Sequence, residues 1–410
     1  MAIRNILIIN QPVGNRGDES AHRALVRSLN TALPEAHVVV LAFLDSLNAI
    51  DEFVVNDERN TYVNFIFPHN LGAEPCALSF IKRGLTKVGT SLHPVLRKLK
   101  PYYSKADVVI CAPGGICMGG FQNWKHMFLL QVARDMSKPI VYYSRSIGPF
   151  PEATALNRRF KALSLDMLSS FSFLSLRDRM SKRLADVLNI KYVSSIDTAF
   201  LDHPCVTMPS NIAEHVHEKF VVFVPNELTW HFAYRNVPQT IIDNFYLSTL
   251  KEIKKAYPNH QIVMLPQLCS LKQKDDYSYF KKIASMADDT DIYILPDAYG
   301  SDLQQTIIRK ASLVVGARYH SVVFAVNNEV PFIAFGYEHK IPGMLEELSL
   351  ADHVVDITRA FDSEAATDET LRVFAEKINN LYALKPSRGH AASMAKACFD
   401  KMIKTIQSLH

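Results

Sequence analysis

The sequence predicts an α/β protein made of two doubly wound, parallel-sheet domains, and three observations lead there. Apolar runs rich in Val and Ile alternate with stretches of helical period, the pattern of parallel strands covered by helices on both faces. The alternation stops and restarts once, across a proline-bearing stretch in mid-chain. The length, 410 residues, exceeds what a single core ordinarily holds.

The first unit of the pattern is "RNILIIN" (4–10), a strand, followed by "DESAHRALVRSLNTAL" (18–33). In that second segment Ala21, Leu25, Leu29, Ala32 and Leu33 form one helical stripe, and Pro34 stops it before the strand "HVVVLAF" (37–43). Further strands are expected at 62–67, 107–112, 139–144, 171–176 and 191–196, giving six or seven in a first domain spanning 1–200. Residues 201–218, with two prolines and no period, read as a linker. A second domain, 219–385, is expected from strands at 219–226, 261–267, 291–297, 311–317 and 331–336. The end of the chain, 386–410, reads as a helix free to pack across either domain. Two Rossmann-like domains facing a cleft are the expected architecture.

Composition narrows the function classes. Apolar residues at 48% and charged residues at 21% fit an ordinary globular chain, and no apolar run reaches the ~20 residues of a bilayer crossing. The N-terminus runs straight into a strand without a secretory signal, so a cytoplasmic location is expected. Six scattered cysteines (Cys76, Cys111, Cys117, Cys205, Cys269 and Cys398) make no CxxC pair, which argues against a zinc ribbon or a thioredoxin-like site. No metal site is expected, since HExxH, DxD and clustered Cys/His sets are absent and "DDTD" (288–291) reads as a solvated turn. A formal charge of +4 falls short of a nucleic-acid signature and fits an anionic substrate or peripheral contact with acidic lipid.

In parallel α/β sheets ligands bind outside the carboxyl ends of the strands, and the unusual residues fall there. After the first strand comes "NQPVGNRGDES", whose glycines permit a tight turn and whose Asn15 or Asp18 can cap the next helix. Such a loop also offers backbone N–H groups to hydroxyls or anions, although neither a P-loop nor a GxGxxG is present. "APGGICMGGFQNW" has four glycines within residues 114–120, which lets backbone approach a ligand or makes a plain crossover turn. "LSLRDRM" places Arg177 at a strand end, with Asp178 as the N-cap of the next helix. Most informative is "VVGARYHSVVFAVNNEVPFIAFGYEHK" (314–340). Arg318 emerges at a strand's carboxyl end, His320 lies in the first turn of a helix whose dipole favours an anion, and Lys340 sits at the next such loop. The three describe a receptor for a small, multiply charged anion.

"GNRGDE", "APGG", "SLRD", "SIDTAF" and above all "GARYHSVVFAVNNEVPFIAFGYEHK" resemble the polysaccharide pyruvyl transferase family over roughly residues 6–350. The resemblance implies a GT-B-like pair of domains. It implies transfer of the enolpyruvyl unit of phosphoenolpyruvate onto two hydroxyls of one hexose in a surface or capsular polysaccharide repeat unit, giving a cyclic pyruvate ketal and phosphate. On that basis Arg318, His320 and Lys340 bind phosphoenolpyruvate, and His320, Arg177 and Asp18 are the catalytic candidates. Asn15, Gly17, Asp18, Glu19, Gly114 and Gly115 meet the acceptor. No cofactor beyond the donor substrate is implied. The acceptor glycan is expected on a polyprenyl diphosphate or free of one, with the protein at the inner face of the plasma membrane in the former case. Two rivals stand beside this reading: a GT-B-type glycosyltransferase with a nucleotide-sugar donor, which shares the architecture, and a noncatalytic anion or glycan sensor, which would bind without turnover.

Overall fold

A computed structural model describes residues 3–42, 53–65, 73–269, 275–287, 291–380 and 386–409. Two parallel sheets organise the chain, one of eight strands and one of six. The chain divides into two compact units: Met1–Val13, Ser20–Asp202 and Ser393–His410 in the first, Gly14–Glu19 and His203–Ala392 in the second.

The strands of the first unit are β1 (Asn5–Ile9), β2 (His37–Ala42), β3 (Asn60–Asn64), β4 (Val108–Cys111), β5 (Gly114–Met118), β6 (Ile140–Ile147), β7 (Phe173–Leu176) and β8 (Val193–Ser194). Their order is β3-β2-β1-β4-β6-β7-β8, with β5 pairing β6 beyond the end of β4. Successive residues of a strand face opposite sides, and both sides here are apolar. Leu7, Ile9, Val109 and Tyr142 enter a core with Phe128 and Phe160. Ile6, Ile8, Val40 and Val141 enter the opposite one, where Cys398, Phe399, Met402 and Ile406 of the last helix also lie. That helix, Arg388–Ser408, therefore contributes all but its first turn or so, from Ser393 onward, to the first unit.

The second unit carries β9 (Phe220–Val224), β10 (Gln261–Met264), β11 (Ile292–Ile294), β12 (Leu313–Gly316), β13 (Phe332–Gly336) and β14 (Val354–Asp356), in the order β11-β10-β9-β12-β13-β14. All six run parallel. The chain reverses its direction of progress between β9 and β12, and likewise between β1 and β4 in the first sheet. Such switch points open a crevice at the carboxyl ends of the strands, because the loops on either side depart to opposite faces.

Several expectations change. The glycine run read as a loop contains β5, which pairs with β6 through Gly114↔Arg145 and Met118↔Ile147. β6 extends to Ile147, past Ser144, whose φ of 45° marks an irregularity in the ladder. β14 is an additional strand, and the 201–218 stretch holds a short helix, Ser210–Ala213. The strand expected at 62–67 is Asn60–Asn64, with residues 66 and 67 outside the described residues, as are 288–290 of "DDTD". Residues 14–19, expected on the first domain, cluster with the second unit.

Candidate functional site

The physical reason for that last change is a set of bonds that the GNRGDE segment makes within the second unit. Arg16 N donates to Gln267 O at 2.8 Å, Cys269 N donates to Gly14 O at 2.9 Å, and Asn15 bridges Leu268. The Arg16 guanidinium pairs with Glu19 at 2.8 Å and reaches the Asp297 carbonyl. Glu19 Oε1 accepts from Ser301 N at 2.8 Å and Ser301 Oγ at 2.9 Å. Arg16 and Glu19 are buried, so this triad ties the segment onto the loops after β10 and β11. Glu19, expected to meet the sugar, is engaged structurally. Asn15, rather than Asp18, caps the helix Arg16–Ala32, its Oδ1 accepting from Gly17 N at 2.8 Å. Asp18 stays partly exposed.

Gly17 has a specific task. A Cβ on it would lie 1.7 Å from His320 Nδ1, so only glycine lets the backbone rest against that imidazole. His320 is 7% exposed, in the first turn of the helix Tyr319–Asn327, and Tyr319 and Phe324 flank its ring. Sequence reading placed both Gly17 and His320 near ligand; the fold makes them direct neighbours.

Arg318 follows β12 at the switch point, as the N-cap residue of Tyr319–Asn327. Its guanidinium pairs with Asp276, and Asp276 Oδ2 accepts from Gln267 N at 3.0 Å and Leu268 N at 2.9 Å. Burial disfavours the Arg318 charge, yet Asp276 and Tyr337 offset this and hold its pKa above the ordinary arginine value. Its Cζ stands 6.0 Å from the Trp230 ring centroid, within cation–π range. Trp230 belongs to the loop after β9, the other side of the same switch point, and its Nε1 donates to Asn226 Oδ1 at 3.0 Å. Arg318 Nε is buried and has no hydrogen-bond partner among the described residues.

Lys340 opens the helix Lys340–Glu347, and its Nζ lies 3.3 Å from Glu338. Glu338 also approaches His231 at 3.7 Å. Burial is the first cause holding His231 below the usual histidine pKa, with Glu338 opposing and Lys340 assisting. Rings link the two cations: Trp230 meets Tyr337 edge to face at 6.3 Å, and His231 meets Tyr337 at 5.8 Å. Neither helix carries a side-chain cap, so first-turn N–H groups remain available to an anion. Asp276, Glu338, Trp230 and His231 escaped the sequence reading. Asp276 could have been suspected as an acidic helix start; nothing local singles out the other three.

In the first unit, Arg177 is 6% exposed and pairs at 2.6 Å with the fully buried Asp197, with Ser146 Oγ 3.4 Å from its Nε. Arg177, expected as a catalytic candidate, thus neutralises a carboxylate that has no access to water. Asp178 caps the helix Arg179–Val187 as expected, accepting from Ser181 N at 2.9 Å. The organising cation here is Arg145, one residue past the expected strand 139–144 and inside the observed β6. Its Nη1 donates to Asn10 O at 3.1 Å and Ala112 O at 2.6 Å, fastening both loops of the first sheet's switch point. Gly114 lies against it, since a Cβ there would stand 2.9 Å from Pro12 and 3.2 Å from Arg145 Nη2. Gly115 has open space above it. Among the described residues no group of three His, Cys, Asp or Glu is placed to hold a metal, and no helix is long and apolar enough to cross a membrane.

Comparison with known proteins places this geometry. Residues 15–339 match the polysaccharide pyruvyl transferase family. The amylovoran biosynthesis protein AmsJ of Erwinia amylovora is 23% identical over 400 residues, covering 87% of this chain and 89% of that one. Among solved structures, UDP-GlcNAc 2-epimerase from Methanocaldococcus jannaschii superposes with TM-score 0.55 at 12% identity, covering 98% and 99% of the two chains. Anabaena HepE, in complex with UDP-glucose, gives 0.52 at 11%, covering 97% and 100%. The α,α-trehalose 6-phosphate synthase of Burkholderia multivorans gives 0.52 at 11%, covering 100% and 99%. These likenesses establish a GT-B fold.

Proposed function

Because the chain belongs to the polysaccharide pyruvyl transferase family and is an enzyme of polysaccharide synthesis, we propose that its donor is phosphoenolpyruvate and its product a cyclic pyruvate ketal on a hexose. The observation that carries this reading is Arg318. It is a largely buried cation at a sheet switch point, its side chain 12% exposed, held charged by Asp276 beside a helix N-terminus. Phosphoenolpyruvate brings a phosphate and a carboxylate close together, and Arg318, Lys340 and the first-turn N–H groups supply the matching donors.

In the proposed chemistry a proton is added to the enol methylene and one sugar hydroxyl forms a bond to the carbon bearing phosphate. That hydroxyl loses its own proton. The C–O bond to phosphate then breaks, the second hydroxyl attacks the same carbon, and its proton leaves with the phosphate or to solvent. His320, whose imidazole can carry a proton to carbon, is the proposed proton donor to the methylene. Gly17 fixes its ring against one backbone segment. Asp18, next along that segment and partly exposed, is the proposed base toward the acceptor, with Gly115 offering open backbone to a sugar. Glu19 and Arg177 are assigned to the scaffold. The reaction needs no cofactor beyond its donor. The acceptor is taken to be a surface or capsular repeat unit carried on a polyprenyl diphosphate at the cytoplasmic membrane face.

The test is release of inorganic phosphate from phosphoenolpyruvate in the presence of candidate glycans, lipid-linked and free. Acceptor-dependent release supports the reading. Absence of release with every acceptor, alongside transfer from a nucleotide sugar, refutes it.

A further inference from the structure

Residues 76–106 contain seven Lys and Arg and no Asp or Glu. The whole chain carries a formal +4, so setting these seven aside leaves the remainder at −3. The mild overall basicity is thus concentrated in one stretch. Arg83, Lys87, Arg97, Lys98 and Lys105 are exposed, and among the described residues no carboxylate pairs with any of the seven. Lys82 lies over the Trp124 ring at 5.5 Å, and Lys100 donates to Ser91 Oγ at 2.9 Å.

Within this stretch the helix Thr86–Leu92 packs with its polarity reversed. Its buried residues are Thr86, Gly89 and Thr90. Gly89 brings it close to the helix Ala73–Arg83: a Cβ there would stand 2.3 Å from the Phe80 ring. Leu85, Val88 and Leu92, at i, i+3 and i+7 on one stripe, face outward at 43%, 44% and 75% exposure. The hydrophobic effect favours the opposite arrangement unless the outer stripe meets a second apolar phase.

We propose that residues 82–105 of the first unit form a docking surface for an anionic lipid bilayer, with Leu85, Val88 and Leu92 entering the interface and the surrounding cations meeting lipid phosphates. The combination selects this occupant. Nucleic acid would use the charges and leave the leucines in water, while a second copy would set two strongly positive faces together. The inference stands apart from the donor assignment and holds whether or not the acceptor is lipid-borne.

Full-length protein is to be sedimented with phosphatidylcholine vesicles, with and without phosphatidylglycerol. Binding is expected only to the anionic vesicles and is expected to fade with added salt. Arg97→Glu with Lys98→Glu should weaken it by roughly tenfold or more. Leu92→Ser, at the most exposed apolar position, should weaken it by roughly tenfold with the charges intact. Each variant's thermal melt and its activity on a soluble glycan should match the parent's. Three outcomes overturn the proposal: no vesicle binding, equal binding to neutral vesicles, or binding that neither variant changes. So does a parent dimer that Leu92→Ser converts to monomer without loss of vesicle binding.

Discussion

Arg318 and His320, neighbours of Tyr319 on either side, are proposed to do two separable jobs. Arg318 is proposed to bind the donor, its charge held by Asp276. Arg318→Lys keeps the charge but loses the planar fork, so donor KM should rise strongly with kcat changed less. His320→Gln should instead lower kcat by about 10²–10⁴-fold with donor binding nearly retained. Steady-state kinetics and calorimetric donor binding on both variants check the split; a normal kcat in His320→Gln would make the histidine structural. Gly17 is coupled to His320, because a methyl there must displace the imidazole. Gly17→Ala should lower kcat alone and add little to His320→Gln in the double variant, whereas additive losses would show that the two act independently. A third residue governs acid stability. His22 is buried against Gln11 and Tyr62, and burial first, then Arg23, lowers its pKa to about 3. Above pH ~6.5 it is neutral folded or unfolded and contributes no pH slope. Below that the unfolded chain takes up a proton that the native state refuses, so stability falls between about pH 6.5 and 3, by ~2 kcal/mol at pH 5. Denaturant midpoints at pH 7 and 5 should fall less for His22→Gln than for the parent; equal falls would contradict this. The cations of the site were legible because each interrupts an apolar run at a strand end. Asp276 and Glu338 were not, since an acidic residue near a helix start reads locally as a cap or a solvated side chain.

Strand and helix boundaries were legible where periodicity alone decides them. β1, β4, β9, β12 and β13 are short apolar runs ended by Asn, Pro, Gly or a charge, and they fall inside the expected spans. β5 was hidden by its glycines, which carry little strand propensity. It is held by pairing with β6, beyond the irregularity at Ser144. β14 has only three residues and gains its place by pairing with β13, a long-range contact with no local signal. The last helix was expected, but its destination was not, because an apolar stripe states that a face is buried without saying against what. Its Met402, fully buried against the first sheet's core, gives a direct measure of that docking. Met402→Ala should cost roughly 2–5 kcal/mol in equilibrium unfolding. A loss below ~1 kcal/mol would mean that the helix contributes little to the first unit.

Taken as a whole, the chain assigns different tasks to its two units. The second unit gathers Arg318, His320, Lys340 and the Gly14–Glu19 segment at the carboxyl edge of one sheet. The first carries Arg145, which fastens the loops of its own switch point, and the basic, apolar-studded surface at 82–105. The division between the units falls inside the helix Arg16–Ala32, which a reading by local period had kept wholly in one domain. Two doubly wound domains were legible from the alternation of runs, while that exchange depends on side-chain bonds such as Glu19 to Ser301, 282 positions apart. The fold alone leaves donor choice open, since enzymes of nucleotide sugars share it; the cation cluster is the ground on which phosphoenolpyruvate is proposed. The most direct measurement offers the protein phosphoenolpyruvate and UDP-sugars together with an acceptor glycan, and reads the acceptor's mass. The expected result is a gain of one pyruvate less one water, abolished by omitting phosphoenolpyruvate and unaffected by omitting UDP-sugars. A hexose-sized gain that depends on the UDP-sugar would contradict it.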